Sequence, residues 1–300
     1  MQEGIALFVY NRPQHLNRVL KKLKENDINQ LYIFADGPKA EEGEEDLRDI
    51  EKVRTQIDAI DWCETTIIKR DENVGLAKSI ITGVDRVFED YDRIIVLEDD
   101  CMPSKNYISY MRKMLDKYEN NGRVMNVNGY SPPIRIPDSY DPDIYFTYRN
   151  SSWGWGTWKS AWENYVFEPF DLDELESNRE ELIKVTRKAG HDLYPMMKEH
   201  LEGEINSWAV WWSYAIAKEG GLCVNPIKSH IQNIGHDDSG THTTSTEKFE
   251  VDLSPKPVTE LDLPDNPFIE STINRRYNRA IAGGRLVETK LKILNKIRSI

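Results

Sequence analysis

With 300 residues, 39% of them hydrophobic and 30% charged, the chain can bury a sizeable core as one large domain or two lobes. Its formal charge of −12 argues against general nucleic-acid binding, which needs a basic surface, but not against a locally held anion. Three scattered cysteines (Cys63, Cys101, Cys223) make no CxxC pair or disulfide ladder, and no apolar run nears the roughly 20 residues that cross a bilayer.

In chain order, "GIALFVY" (4–10) reads as a strand, too short for the apolar segment of a signal peptide, so a cytoplasmic setting is expected. Leu16, Val19, Leu20 and Leu23 predict a helix over 13–26, with Pro13 near its start. A strand (30–35), a helix (44–60), a strand (64–69), a helix (76–91) and a strand (93–97) follow. This alternation predicts an α/β fold with a parallel sheet and right-handed crossovers. Beyond Pro103 come a helix (104–119), a strand (123–130), a loop (131–143), an aromatic segment (151–165) and helices near 171–189, 191–202 and 207–219. "GGLCVNP" suggests a last strand, 233–246 a polar loop, and the proline-rich 252–268 a surface wrap.

The unusual residues sit where the first four strands end. Asn11-Arg12-Pro13, Asp36-Gly37-Pro38-Lys39, Arg70 through Asn73 to Gly75, and Glu98-Asp99-Asp100 each close one strand. Open α/β sheets bind ligands at that edge. Three crowded acids suit a divalent cation, a carboxylate pair for acid–base work, or simply a solvated loop. If the pleat persists, Glu98 and Asp100 face one way and Asp99 the other. Arg12, Arg70 and Lys78 nearby favour a diphosphate, which takes a metal ion and basic side chains together; a hydrolase does not need them.

The segments "ALFVYNRPQHLNRVLKKL", "LYIFADGPK", "NVGLAKSIITGVDRVFEDYDRIIVLEDDCMPSKNYISYM" and "SSWGWGTW" together resemble GT-A-fold (Rossmann-like) nucleotide-sugar glycosyltransferases over roughly residues 4–245. They look closest to bacterial relatives of the glycoprotein mannosyl β-1,2-N-acetylglucosaminyltransferase. The resemblance implies that Asp100 holds Mn2+ or Mg2+, that Glu98 and Asp99 lie near the ribose and sugar, and that Arg12 and Asp36 lie near the base of a UDP-sugar. Asp36 also reads as an Asp-Gly turn residue.

Of eight tryptophans, Trp153, Trp155, Trp158 and Trp162 fall within ten residues. Trp153 and Trp155 are expected beside the sugar, where Gly154 and Gly156 permit close backbone approach, and Trp158 and Trp162 in the core. In the eukaryotic relatives an Asp directly follows the residue aligned with Trp208; here Ala209 stands there. Glu204 and Asp237 are the substitute candidates for the base that takes the acceptor proton. Gly235 and Gly240 could hinge the 233–246 loop as a lid, bringing His236 or His242 to the metal or diphosphate.

The expected organisation is a donor-binding half (1–165), an acceptor-side half (166–265) and a basic amphipathic tail (266–300). From Arg275 onward eight basic residues face one acid. Such a helix either packs on its own domain or meets an anionic membrane surface or partner. The expected function is metal-dependent sugar transfer from a nucleotide-sugar donor to a glycan hydroxyl in surface-polysaccharide synthesis, with peripheral contact at the inner membrane face through the basic tail as a further expectation. Two rivals remain: a nucleotidyltransferase, which usually carries a Gly-rich loop absent from "YNRPQH", and a non-catalytic sugar- or nucleotide-binding module.

Overall fold

A computed structural model of the chain describes residues 2–163, 172–236 and 249–282. Strands β1 (Gly4–Val9), β2 (Gln30–Ala35), β3 (Glu64–Lys69) and β4 (Arg93–Glu98) run parallel in the order β3-β2-β1-β4. Helices α1 (Pro13–Leu23), α2 (Glu44–Asp58) and α3 (Leu76–Val87) connect them. Every residue of β1 is buried, as a strand covered on both faces requires. Its pleat sends Ile5, Leu7 and Val9 into one core with Leu16 and Val19 of α1. Ala6 and Phe8 go into the opposite core with Ile80 and Val84 of α3. Phe8 stacks on Phe34 there, at 4.9 Å between centroids.

The second half is less regular. It holds β5 (Cys101–Pro103), α4 (Tyr107–Tyr118), β6 (Val124–Asn128), β7 (Ile144–Thr147), β8 (Trp155–Trp158), α5 (Lys159–Trp162), α6 (Leu172–Ser177) and α7 (Arg179–Ala189). Then come α8 (Leu193–Leu201), α9 (Trp208–Glu219), β9 (Leu222–Pro226), β10 (Ile231–Asn233) and α10 (Ser271–Ala282). The full sheet runs β3-β2-β1-β4-β8-β6-β9-β7. β8 lies antiparallel to both β4 and β6, so the sheet is mixed beyond the four parallel strands. β10 pairs antiparallel with β5 in a separate two-stranded ladder.

Several expectations change. β5, β7 and β10 span only three or four residues, too few for a period-two pattern to show. The helix expected over 171–189 breaks at Asn178 into α6 and α7. The 252–268 segment wraps α4, as expected: Lys113 Nζ donates to Val258 O at 2.6 Å, and Tyr118 Oη to Pro264 O at 2.8 Å. In the tail, Ile273 and Tyr277 of α10 pack on Tyr145 of β7, so this part docks on its own domain. Residues 283–300 lie outside the described residues; among the described residues no helix is long and apolar enough to cross a membrane.

Candidate active site

A cavity of about 530 Å3 opens at the carboxyl ends of β1, β2 and β4 and beside the loop after β3. Tyr10, Arg12, Asp36, Lys39, Asn73, Glu98, Asp99 and Asp100 line it from the first half. Ser152, Trp153 and the segment Asn206–Ala209 line it from the second.

The loops after β2 and β3 are laced together. Asp36 Oδ1 accepts N–H groups of Gly37 and Val74, each at 3.1 Å, and Asn73 Nδ2 donates to Gly37 O at 3.0 Å. Gly37 is required by this approach, because a Cβ there would sit 2.5 Å from the backbone of Glu72. Arg70 is turned away from the cavity. It donates to Ser79 Oγ at 2.6 Å and Thr82 Oγ1 at 3.1 Å, and stands 4.0 Å from Asp36. It therefore braces the loop from behind. Lys78 is exposed and lines no part of the cavity. Lys39 does line it, as does Tyr10, whose backbone N–H donates to Asp99 Oδ2 at 3.1 Å.

The acid triplet does not keep its pleat. β4 ends at Glu98, the chain turns at Asp99-Asp100, and all three acids line the same cavity. Arg12 Nη1 binds Asp100 Oδ2 at 2.8 Å. Burial works against the Arg12 charge, but the fields of Asp99, Asp100 and Glu98 outweigh it and raise its pKa. Burial pushes Glu98 well above the usual carboxylate range, with Asp100 and Asp99 adding to the rise and Arg12 opposing it. Burial also raises Asp99, against the pull of Arg12. One guanidinium does not neutralise three carboxylates, and added positive charge would relieve the excess.

The hard oxygen donors therefore fit a divalent cation. Among the described residues no three His, Cys, Asp or Glu groups converge to hold a metal. A Mg2+-like ion needs only one or two protein carboxylates when phosphate oxygens and water complete its shell.

The 234–236 segment closes over this corner. Asn233 pairs with Cys101, and Ile234 N donates to Asp100 O at 2.8 Å. His236 stands edge-on to Trp153, 5.2 Å between centroids. Burial lowers its pKa while the Asp100 charge opposes that shift. Neither ring nitrogen has a hydrogen-bond partner among the described residues. His236 lines a neighbouring open cavity rather than the main one.

The sequence profile of glycosyl transferase family 2 matches residues 5–164. The chain belongs to that family. Its fold is the GT-A, Rossmann-like arrangement, a large mixed sheet with a parallel half flanked by helices. No curated protein sequence matches. Among solved structures, S. aureus TarS 1-349 is 11% identical over 76% of this chain and 59% of that one, with a TM-score of 0.41. The mannosyltransferase PcManGT from Pyrobaculum calidifontis, solved with GDP-Man and Mn2+, is 11% identical over 73% of this chain and 70% of that one, with a TM-score of 0.43. The chain thus spans about three fifths of the first of these.

In this family member Trp153 and Trp155 part company. Trp153 is half-buried and forms a cavity wall, held edge-on by Tyr130 at 4.6 Å and Phe249 at 5.3 Å. Trp155 is fully buried, stacked on Trp208 at 4.5 Å and Trp162 at 5.7 Å, and does not reach the cavity. Its place in β8 turns it into the core, so the expectation of Trp155 beside a sugar is corrected. Gly154 and Gly156 likewise make room for Ile231 and for the Ile94 carbonyl, not for a ligand.

Glu204 is exposed and lines no part of the cavity, because α9 begins only at Trp208 and leaves Glu204 outside its turns. Asp237, Gly240 and His242 lie outside the described residues. Sequence reasoning also missed Asn206, whose Oδ1 accepts the Ala77 N–H at 2.8 Å and caps α3 from across the chain. Nothing local marks it. Tyr10 and Lys39 were findable, since Lys39 ends one of the strand-end clusters already singled out and Tyr10 directly precedes another.

Proposed function

We propose that this chain is a glycosyltransferase that moves a sugar from a nucleoside-diphosphate donor, with UDP as the nucleotide, to a hydroxyl of a glycan acceptor. The observation that carries the reading is the convergence of four strand-end segments on one cavity, where Arg12 and Lys39 meet three carboxylates. Membership of glycosyl transferase family 2 supports it. The motifs from "YNRP" to "SSWGWGTW" favour kinship with the glycoprotein mannosyl β-1,2-N-acetylglucosaminyltransferase, and a role in surface-glycan synthesis.

Asp100 would hold Mn2+ or Mg2+. When bound, that ion supplies Lewis-acid stabilisation of charge on the departing diphosphate. Arg12 and Lys39 bind diphosphate oxygens by charge-assisted hydrogen bonds. Glu98 and Asp99 face the ribose and sugar hydroxyls. Asp36, with Oδ1 committed to Gly37 and Val74, presents its edge to the base. The Trp153 indole bounds the sugar. Asp237, next to His236, is the remaining candidate for the carboxylate that takes the acceptor proton.

Incubation with labelled UDP-sugars and Mn2+ tests this reading: slow release of UDP and free sugar is expected. Pyrophosphate release from a nucleoside triphosphate and a sugar phosphate would instead identify a nucleotidyltransferase. One observation favours a second reading, a binding module without turnover: Ala209 lines the cavity, and among the described residues no acid of the second half does. Donor binding with no hydrolysis over hours would establish it.

A further inference from the structure

Beside the main cavity lies a second one of about 190 Å3, which shares Ser152, Trp153, Ser207 and Ala209 with it. Trp153 is the wall between them. A group seated in the smaller space would therefore reach the larger one past Ala209.

The electrostatics of this second cavity are nearly neutral. Among the described residues Arg149 is the one charged residue in its lining. Its Nη1 donates to Asp192 Oδ1 at 2.7 Å and to Ala189 O at 3.3 Å, inside a buried ion pair. Each charge answers the other, so no charged ligand is needed to balance the site.

A polar demand is nevertheless built into its wall. Asn150 is 4% exposed and lines the cavity. Its Oδ1 accepts the Ser213 hydroxyl, which orients the amide, and its Nδ2 has no partner among the described residues. A buried donor left unpaired is costly, so the fold retains an unspent hydrogen bond here. The loop carrying Asn150 is held firmly. Ser151 N donates to Asn128 Oδ1 at 2.9 Å, and Asn128 Nδ2 to Asn225 Oδ1 at 2.8 Å. The same lining holds Met196, Val210 and Ile281. A lining that mixes hydroxyl and amide groups with aliphatic carbon suits a pyranose ring, which carries hydroxyls at its edge and C–H groups on its faces.

We propose that this second cavity seats an uncharged sugar ring of the acceptor, with Asn150 Nδ2 donating a hydrogen bond to one of its oxygens. The acceptor role rests on the reading of the main cavity as the nucleotide-sugar site; the sugar-binding role does not.

Saturation-transfer NMR separates the two. The probes are methyl glycosides of galactose, mannose and N-acetylglucosamine, methyl glucuronide as the charged counterpart, and UDP with Mn2+ measured in parallel. Asn150→Asp replaces the free donor with an acceptor. Ile281→Trp fills the cavity from α10 without touching the main one, and serves as a second variant should Asn150→Asp fold poorly. At least one neutral glycoside is expected to bind, with affinity reduced about tenfold by Asn150→Asp. Ile281→Trp should abolish that binding, and UDP affinity should be unchanged in both. The proposal is overturned if neutral glycosides do not bind, if both variants bind them as the native chain does, or if only the glucuronide binds. Variant-sensitive glycoside binding by a protein that ignores UDP would uphold the sugar site and overturn the reading of the main cavity and the acceptor role with it.

Discussion

Arg12 Nη1 lies 2.8 Å from Asp100 Oδ2, with the two side chains only 21% and 15% exposed. Arg12 stands just ahead of α1 and Asp100 just past β4, so adjacent parallel strands deliver the pair. Arg12 is the counter-charge that lets three acids crowd one strand end. It also occupies an oxygen that the proposed divalent cation would need.

Competition between the two follows. Arg12→Gln should tighten Mn2+ binding about fivefold to tenfold by releasing Asp100, whereas Asp100→Asn should abolish it. Electron paramagnetic resonance of free Mn2+, without any donor present, reads both. Unchanged Mn2+ affinity in Asp100→Asn would remove Asp100 from the site altogether.

Gly235 packs directly on this pair. A Cβ there would collide with Asp100 Oδ2 and come within 2.9 Å of Arg12 Nη1. Gly235→Ala should cut kcat/KM for donor hydrolysis more than about tenfold while shifting stability by less than about 1 kcal/mol, because the displaced ion pair is partly exposed. Steady-state kinetics beside a urea titration test the split.

The two neighbouring tryptophans should separate cleanly. Trp155→Ala empties a fully buried site stacked on Trp208 and should cost about 3–5 kcal/mol. Trp153→Ala should cost far less stability and mainly raise KM. If the two variants melt alike, the assignment of Trp153 to a wall and Trp155 to the core is mistaken.

Asn206 ties the second half to the start of α3. Asn206→Ala should lose about 1 kcal/mol of stability, the usual worth of a cap. Because Asn206–Ala209 also lines the cavity, donor KM should rise with it. A KM equal to that of the native chain would show that the cap is merely structural.

His230 supplies a pH dependence away from the cavity. It is 1% exposed, stacks on Tyr110 at 4.5 Å and shares a hydrogen bond with Ser104 Oγ at 3.0 Å. Burial lowers its pKa from 6.5 to about 4. Between those values the unfolded chain binds the proton and the native one does not, so stability falls as pH drops. The loss should reach about 2 kcal/mol at pH 5 relative to pH 7. Calorimetry of the native chain and His230→Phe, which keeps the stacking, should show the slope flattened in the variant.

The alternation of strand and helix through Glu98, and the polar clusters closing each strand, were legible because both are local signals. Apolar residues recur with period two or 3.6, and the polarity switch marks where a buried strand meets solvent. The parallel half and the polar edge at its strand ends could therefore be read from residues 4–98 alone. The turn that brings Asp99 beside Glu98 and Asp100 was not legible, since a pleat and a turn look alike over two residues.

What only the tertiary structure decided is which distant segments meet that edge. β8 inserts antiparallel beside β4 and buries Trp155 while leaving Trp153 at the wall. Asn206 caps a helix 129 residues earlier, and Gly235 lies against Arg12 and Asp100. Ala209 and Asn150 face adjoining cavities for the same reason. None of these contacts is encoded by neighbours in sequence. Each arises because the sheet and its two cores must close around side chains whose volumes interlock only in the assembled fold.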